Sequence, residues 1–514
     1  MRCRTPTPTN PTQDSCRQQK EEGEDLAGRA KAGGNRLGRH QPHHGHHPSN
    51  QGKKGKRRQK GKECNPRNRK RRQQGKESGR KLRSLKKACN RWTYDITSVN
   101  PKRSSCLRQI EISEGELQGF FQDGLIHWPR KCTSADAVFN EVAGDMLDHM
   151  HAFTVLKAAE VIRLAEKDGE PLNLYACRIV NISLPDFKKA IFLLLNTHYK
   201  PTYSKARDFW CTEEQDDIYR DTLDRETFLA VISFLSCDPE TVVEHYNLRM
   251  FSRYTPCKYV SVDEFIQDYY GNDINRVRIP SKNHGEGIKY QMAVDGNHVP
   301  FLVVPYIPPF KDRDQTTPSG VMRMVEEQLR SAGCSPMPLY VDRWFINSTT
   351  WCEFTKENDI ICTMMYNRLP AEVKHIFGQH SPLQLYEAVF LQDNSTKHIA
   401  VMYKNNPAKE VHLLATHGSD ECITDAFNNP IPKIVSMYNE GKGAVDTFTE
   451  DYYRHMRSTK NDNYRKAMAF FFCKLVMIAS WRMWMLVTNR NRPQRKYALQ
   501  AISSQLKQLK RNGD

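Results

Sequence analysis

The chain has 514 residues, 38% of them hydrophobic, and a formal net charge of +18, so it exceeds one ordinary core and two or three domains are expected. No run of about 18 apolar residues occurs, and no apolar segment follows the charges at the N-terminus, which argues against a membrane span and a signal peptide. The 15 cysteines form no Cys-x-x-Cys pair; this usage points to reduced thiols in a cytosolic or nuclear protein and offers no visible zinc site.

The charge is concentrated in residues 1–91, which carry 27 Lys and Arg against 7 Asp and Glu, leaving 50 against 52 for the remainder. This segment is rich in Gly, Pro, Gln and Asn and poor in aliphatic residues, so it cannot bury enough surface to offset its conformational entropy and is expected to be a disordered basic arm. His40, His43, His44, His46 and His47 read as a solvated low-complexity patch, with adventitious metal binding as the alternative. From Lys53 to Arg91 the arm holds 19 basic residues and 2 acidic ones. Its densest runs contain Lys53, Lys54, Arg57 and Arg58, then Arg71 and Arg72. Such runs serve as nuclear-import addresses and as phosphate-binding arms, which makes DNA the expected partner and the nucleus the expected location.

Residues 92–256 read as helical. From Ser134 to Gly169 the apolar positions Phe139, Val142, Met146, Met150, Phe153 and Leu156 recur every three or four residues, which predicts one amphipathic helix. Further helices are expected at Leu184–Asn196 and Asp224–Leu235. After Cys257 the period changes from helix to strand. In Lys258–Phe265, Val260 and Val262 alternate with Tyr259 and Ser261 as in a half-buried strand. That strand carries Asp263-Glu264, adjacent carboxylates that repel unless a cation such as a divalent metal lies between them.

Strands follow at Gly287–Val294 and His298–Pro305, joined through the hairpin signal Asp295-Gly296. A helix starting at an N-cap Ser319 is expected to reach Ala332, and the strand Pro338–Val341 ends on Asp342. Asn347–Asn358 reads as a helix and Ile360–Met365 as a strand, completing a first core segment at 257–385. Residues 386–430 read as a strand-rich insertion. Segment 431–495 then runs through a glycine-rich turn, Gly441-Lys442-Gly443, into long helices carrying Asp446, and 496–514 is a basic tail. Taken singly, Asp263, Asp342 and Asp446 each read as a strand end, a local pair or a cap.

The order strand, strand, strand, helix, strand, helix, strand, with acids on the first and fourth strands, resembles the RNase H-like α/β fold of nucleotidyl transferases, in which Asp263 and Asp342 would be neighbours. Asp263-Glu264 followed by Gly271, and then Pro280, Lys282, His284, Gly287, Ile288 and Lys289, resembles the first motif of the piggyBac family of DNA transposases. Asp342-Arg343-Trp344-Phe345 through Ser348 is similar to the second, and Tyr438, Asn439, Gly443, Val445 and Asp446 match the third. The resemblance covers about residues 135–495. It implies DNA strand cleavage and transfer by Asp263, Asp342 and Asp446 holding magnesium, for which manganese can substitute, and it implies a homodimer acting on DNA. Lys282 and Lys289 join the basic arm as candidate DNA contacts.

The sequence departs from the family pattern at Thr449, where a fourth Asp is usual, and at Asn272, where Arg is common. The cysteine-rich zinc-binding tail of the family is not found, and the basic stretch Arg490–Arg511 is a candidate for non-specific DNA contact in its place. A transposon-derived nuclear DNA-binding protein without transposition activity is therefore the alternative reading. No motif supports RNA recognition.

Overall fold

The computed structural model describes Ile126 and residues 132–200, 209–210, 218–280, 282–306, 317–334, 336–455 and 463–511. The arm with Lys53, Lys54, Arg57, Arg58, Arg71 and Arg72, and the histidine patch, lie outside the described residues.

Among the described residues six helices come first: α1 (Ala135–Ala143), α2 (Met146–Asp168), α3 (Leu174–Val180), α4 (Leu184–Tyr199), α5 (Arg225–Phe234) and α6 (Pro239–Arg253). Ser134, Asn173, Ser183, Asp224 and Asp238 cap five of them by accepting first-turn backbone N–H groups, which would otherwise be left without partners. The single helix expected from Ser134 to Gly169 is two. Gly144 breaks it at φ 53°, a conformation that costs glycine little. The buried stripe of α2 is Met146, Leu147, Met150, Thr154 and Ala158, so Leu156, expected in the core, is 64% exposed. Thr154 fixes that register by hydrogen bonding to the backbone of Ser236 in both directions.

The centre of the molecule is a nine-stranded sheet. Strands β1 (Val260–Asp268), β2 (Arg276–Arg278), β3 (Glu286–Asp295), β4 (Pro300–Pro305), β5 (Leu339–Val341), β6 (Ile360–Thr363), β7 (Ala388–Gln392), β8 (Ile399–Asn406) and β9 (Lys409–Ala415) are arranged β2-β3-β1-β5-β6-β9-β8-β7, with β4 also on β3. β1, β5 and β6 are mutually parallel and the other pairings antiparallel. Helix α7 (Pro318–Ser331) connects β4 to β5, and α8 (Ser348–Phe354) connects β5 to β6. The cap of α7 is Thr317, with Pro318 opening the first turn, two residues ahead of the expected Ser319. The strands expected as an insertion continue the same sheet, because β9 pairs with β6. A separate two-stranded piece, β10 (Cys422–Thr424) with β11 (Pro430–Pro432), follows.

A short helix, α9 (Ala371–His380), stands between β6 and β7, and three long helices follow β11: α10 (Lys433–Arg454), α11 (Tyr464–Thr488) and α12 (Gln494–Arg511). The Gly441-Lys442-Gly443 run, expected as a turn, lies inside α10. Gly441 is needed there because a Cβ would come 2.3 Å from the Tyr340 ring of β5, so the missing side chain lets the helix backbone rest on the sheet. This cover explains why Ser261, on the face that α10 shields, is buried as deeply as Val260 and Val262 on the other face. The Ser261 hydroxyl donates to the Lys442 carbonyl at 2.9 Å, and Phe265 packs on Phe448 and Tyr452 of α10.

Helix α11 is apolar on every side, as a helix surrounded by protein must be, and it is long and apolar enough to cross a membrane by composition although most of it is buried. Among its buried residues is Lys474, whose Nζ donates to the Tyr452 carbonyl and lies 4.5 Å above the Tyr452 ring. Burial holds its pKa well below the ordinary lysine range. Residues read as a basic tail form α12, which buries Tyr497, Ala498, Ala501, Ile502 and Leu506. Each large apolar side chain so removed from water contributes about 1.5–3 kcal/mol. The last two helices close onto the first: Trp484 donates to the Thr133 carbonyl at 3.0 Å, and the Tyr497 hydroxyl to that of Ala135 at 3.0 Å.

The helical region is joined to the sheet by Asp295 at the end of β3. Its carboxylate accepts the Tyr254 hydroxyl and the N–H groups of Cys257, Asn297 and Val299. Burial nevertheless pushes its pKa up to about 6 against these donors. The hairpin expected at Asp295-Gly296 is thus a longer turn, with His298 at φ 61°.

Gly441→Ala is expected to destabilise the protein by about 1–3 kcal/mol in urea unfolding, because the helix must lift from Tyr340. Gly443→Ala, where a Cβ meets nothing within 4 Å, should be neutral or stabilising by up to about 1 kcal/mol. Equal effects at both positions would refute this account of the α10 contact.

Candidate active site

The parallel register of β1 and β5 matches Val260 with Leu339, Ser261 with Tyr340 and Val262 with Val341. One step further on, Asp263 falls beside Asp342. Side chains alternate along a strand, so Asp263 shares the face of Ser261 and Phe265, and Asp342 that of Tyr340, which is the face α10 covers. Strand β6 extends the row, since Val341 pairs with Cys362, which sets Thr363 beside Asp342. The Thr363 hydroxyl donates to Asp342 Oδ1 at 3.4 Å, lies 3.2 Å from the Tyr438 hydroxyl and accepts the Arg343 N–H at 3.1 Å. With the Thr363 proton given to Asp342, the Tyr438 hydroxyl is the donor to Thr363.

The electrostatics follow from this crowding. Burial, reinforced by the Asp342 and Glu264 charges, pushes the pKa of Asp263 up to about 7 against the pull of Lys282 and of the Glu264 N–H. That N–H donates to Asp263 Oδ1 at 2.6 Å. Burial likewise pushes the Tyr438 hydroxyl up, and the Asp342 and Asp263 charges add to the effect.

Glu264, the other half of the acidic pair, points to the opposite face. Burial opposes its charge, but Lys289 and Lys282 outweigh that and hold its pKa low. Lys289 Nζ lies 2.5 Å from Glu264 Oε2, and Lys282 Nζ 2.9 Å from Oε1. The same Lys289 ammonium sits 4.4 Å over the Trp344 ring and 5.6 Å over that of Tyr306, a cation–π arrangement strengthened by partial desolvation. Lys282 and Lys289, proposed from sequence as DNA contacts, are therefore ion-paired with Glu264, and Lys289 is buried.

Helix α10 brings the third motif to this place. Tyr438 reaches Thr363, Gly441 touches Tyr340, and Lys442 receives Ser261. Asp446 lies on the same helix, one residue beyond the buried Val445, and is itself exposed. Thr449 returns its hydroxyl to the Val445 carbonyl at 2.9 Å, as mid-helix threonines do. Near the end of α10, the His284 ring stacks on Tyr453 at 3.5 Å, its Nδ1 lies 3.1 Å from Asp268, and the Tyr453 hydroxyl donates to the Ile266 carbonyl at 2.6 Å.

The three sequence motifs thus converge on one region: Asp263, Glu264 and Lys289 from the first, Asp342 and Trp344 from the second, and Tyr438 from the third, whose Asp446 lies exposed on the same helix. Asp263 and Asp342 are side by side. Among the described residues, however, the group of three metal-ligating side chains whose ligand atoms lie within 4.8 Å of one another is Asp145, His149 and His245, so Asp446 does not close with the other two aspartates into such a group. Thr363 was missed in the sequence because a threonine at a strand end carries no signal until β6 is known to lie beside β5.

With its pKa raised to about 7, Asp263 binds a proton more tightly in the folded chain than in the unfolded one, whose carboxyl titrates near 4. Without metal, stability should therefore fall as pH rises from about 4 to about 7, by a few kcal/mol at most. In chelator at pH 8, Asp263→Asn should melt several degrees above the parent, with the gap closing toward pH 5; an unchanged gap would contradict the raised pKa. Removing either member of the Glu264–Lys289 pair should cost about 3 kcal/mol, whereas Glu264→Gln with Lys289→Met should cost less than the sum, as measured in a double-mutant cycle.

A family model described as Transposase IS4 matches residues 191–481, more than half of the chain. No curated protein matches. Among solved structures, the cryo-EM piggyBac transposase synaptic complex with hairpin DNA is similar at a TM-score of 0.64 and 18% sequence identity, over 76% of this chain and 84% of that chain. The chain belongs to the Transposase IS4 family, and its fold is that of a piggyBac-like transposase.

Proposed function

We propose that this protein is a DNA transposase that cleaves and joins DNA strands through Asp263, Asp342 and Asp446. The observation that carries the reading is the lateral pair Asp263–Asp342, on adjacent parallel strands, with Asp263 raised to about 7. Two carboxylates held together where the protein compensates their charge poorly are suited to a cation. Their hard oxygen donors fit magnesium, with manganese able to substitute. Asp263 and Asp342 would hold it, with Asp446 supplying a further carboxylate from α10; when bound, it supplies polarisation of the phosphate and neutralisation of the charge that develops during transfer. The protein's own part is to align the two strands, to hold Asp342 through Thr363 and Tyr438, and to keep Glu264 out of the site by pairing it with Lys282 and Lys289.

The order β4-β3-β1-β5-β6, with β1, β5 and β6 parallel, supports an RNase H-like core. DNA as partner is supported by the arm's charge, which favours phosphate binding and nuclear import, and by the DNA complex in which the similar piggyBac transposase was solved. We extend the reading to a nuclear protein acting as a homodimer.

A second reading, a transposon-derived DNA-binding protein without strand transfer, is favoured by the third motif: Asp446 is exposed and, among the described residues, joins no three-ligand group, while Thr449 offers only a hydroxyl already bonded within the helix.

The test is cleavage of supercoiled plasmid DNA by the full chain in magnesium and in manganese, with DNA binding measured in parallel. The transposase reading expects metal-dependent nicking that Asp342→Asn abolishes while DNA affinity stays within about twofold of the parent, because phosphate contacts elsewhere carry the binding. Tight DNA binding with no nicking in either metal would establish the second reading.

A further inference from the structure

We propose that Asp145, His149 and His245 form a binding site for one zinc-class divalent transition-metal ion, separate from the aspartates of the sheet. Asp145 occupies the N-cap position of α2, yet its side chain makes no capping bond. Its two oxygens are turned instead to two imidazoles. His149 Nε2 lies 3.3 Å from Oδ2, and His245 Nδ1 lies 3.2 Å from Oδ1. The two rings are 3.9 Å apart between centroids. One ligand atom from each of the three residues lies within 4.8 Å of the others.

The placement has the logic of a metal clip. Asp145 and His149 are one helical turn apart on α2, so they share a face, and His245 comes from α6 across the helix pair. The neighbouring cations are already compensated: Lys188 pairs with Asp148 at 2.6 Å, while Arg249 and Arg253 both pair with Glu141. Two imidazoles and a carboxylate suit zinc, nickel or copper and not magnesium, which takes oxygen donors. Three protein ligands leave a fourth position for water or for a donor from a bound molecule. The side chains are 64%, 44% and 31% exposed for Asp145, His149 and His245, so an ion can reach them. Occupancy would fasten the helix break at Gly144 to α6, which leads through Tyr254 toward β1.

The experiment is zinc titration of the chelator-treated full chain, monitored by calorimetry and by competition with a coloured chelator. The histidines at positions 40, 43, 44, 46 and 47 are changed to Ala in every protein compared, so that the arm contributes no imidazole. One zinc per chain should bind with a dissociation constant in the micromolar range or tighter, and zinc should raise the melting temperature. His245→Ala should weaken that step by more than about tenfold, and Asp263→Asn should leave it unchanged. Cobalt in place of zinc should give visible absorption without a thiolate charge-transfer band, which separates this site from the cysteines. His149→Ala, altering a more exposed side chain, gives the same reading should His245→Ala fail to fold by circular dichroism. Equal zinc affinity in the background protein and both histidine variants, or a cobalt spectrum of thiolate character indifferent to both substitutions, would overturn the proposal.

Discussion

The crossing of α10 over β1 and β5 is the contact on which the rest of the structure depends. It is made close by an absence: Gly441 has no side chain, so the Tyr340 ring meets helix backbone, and the Ser261 hydroxyl can reach the Lys442 carbonyl. A helix normally stands off a sheet by the length of the side chains between them. Here the gap is closed at one point, and further along the same helix Phe448 and Tyr452 pack on Phe265. The result is a covered sheet face in which two carboxylates, on adjacent strands, sit beside a helix that also carries Tyr438 and Asp446.

That cover sets the electrostatics. The two faces of β1 treat their acids differently: Glu264 is neutralised by two lysines, one of them wedged against Trp344, whereas Asp263 is driven toward protonation by burial, with a smaller contribution from the Asp342 charge on the same side. An ion pair buried on one face and an acid pair crowded on the other is an unusual division of charge across a single strand. The first stabilises the sheet without help. The second leaves charge poorly compensated, as sites with strongly shifted carboxyls commonly do.

Much of the sheet was legible in the sequence because strand period, turn residues and caps are local signals. The runs that became β1, β3, β4, β5 and β6, and the helices between β4 and β6, could be read from alternation and from residues such as Asn347, whose side chain does cap α8. What could not be read was set by contacts between distant segments. Gly441 looked like a turn residue because local propensity cannot report a ring waiting on another strand. Gly144 fell within the single helix expected from Ser134 to Gly169, because nothing local announces its positive φ. β2 is only three residues long and owes its existence to the edge of β3. Lys289 read as a candidate DNA contact because nothing in its own segment reveals Glu264 and Trp344 beside it. The Asp145, His149 and His245 cluster was invisible for the same reason: its third member lies on another helix.

The order in which the chain is made has a consequence for this architecture. Helix α1, near the start of the body, is packed against α11 and α12 at its end, through Trp484, Tyr497 and Gln505. Contacts so distant in sequence close late, since the intervening loop entropy must be overcome first. On the ribosome, the helices ahead of the sheet therefore emerge without the apolar α11 that completes their core, and they wait with that surface uncovered until α11 itself has left the exit tunnel. Asp446 arrives in the same late stretch. A growing chain thus exposes apolar helix surface that α11 later covers, and the residues of α10 join the sheet face only in that same late stretch.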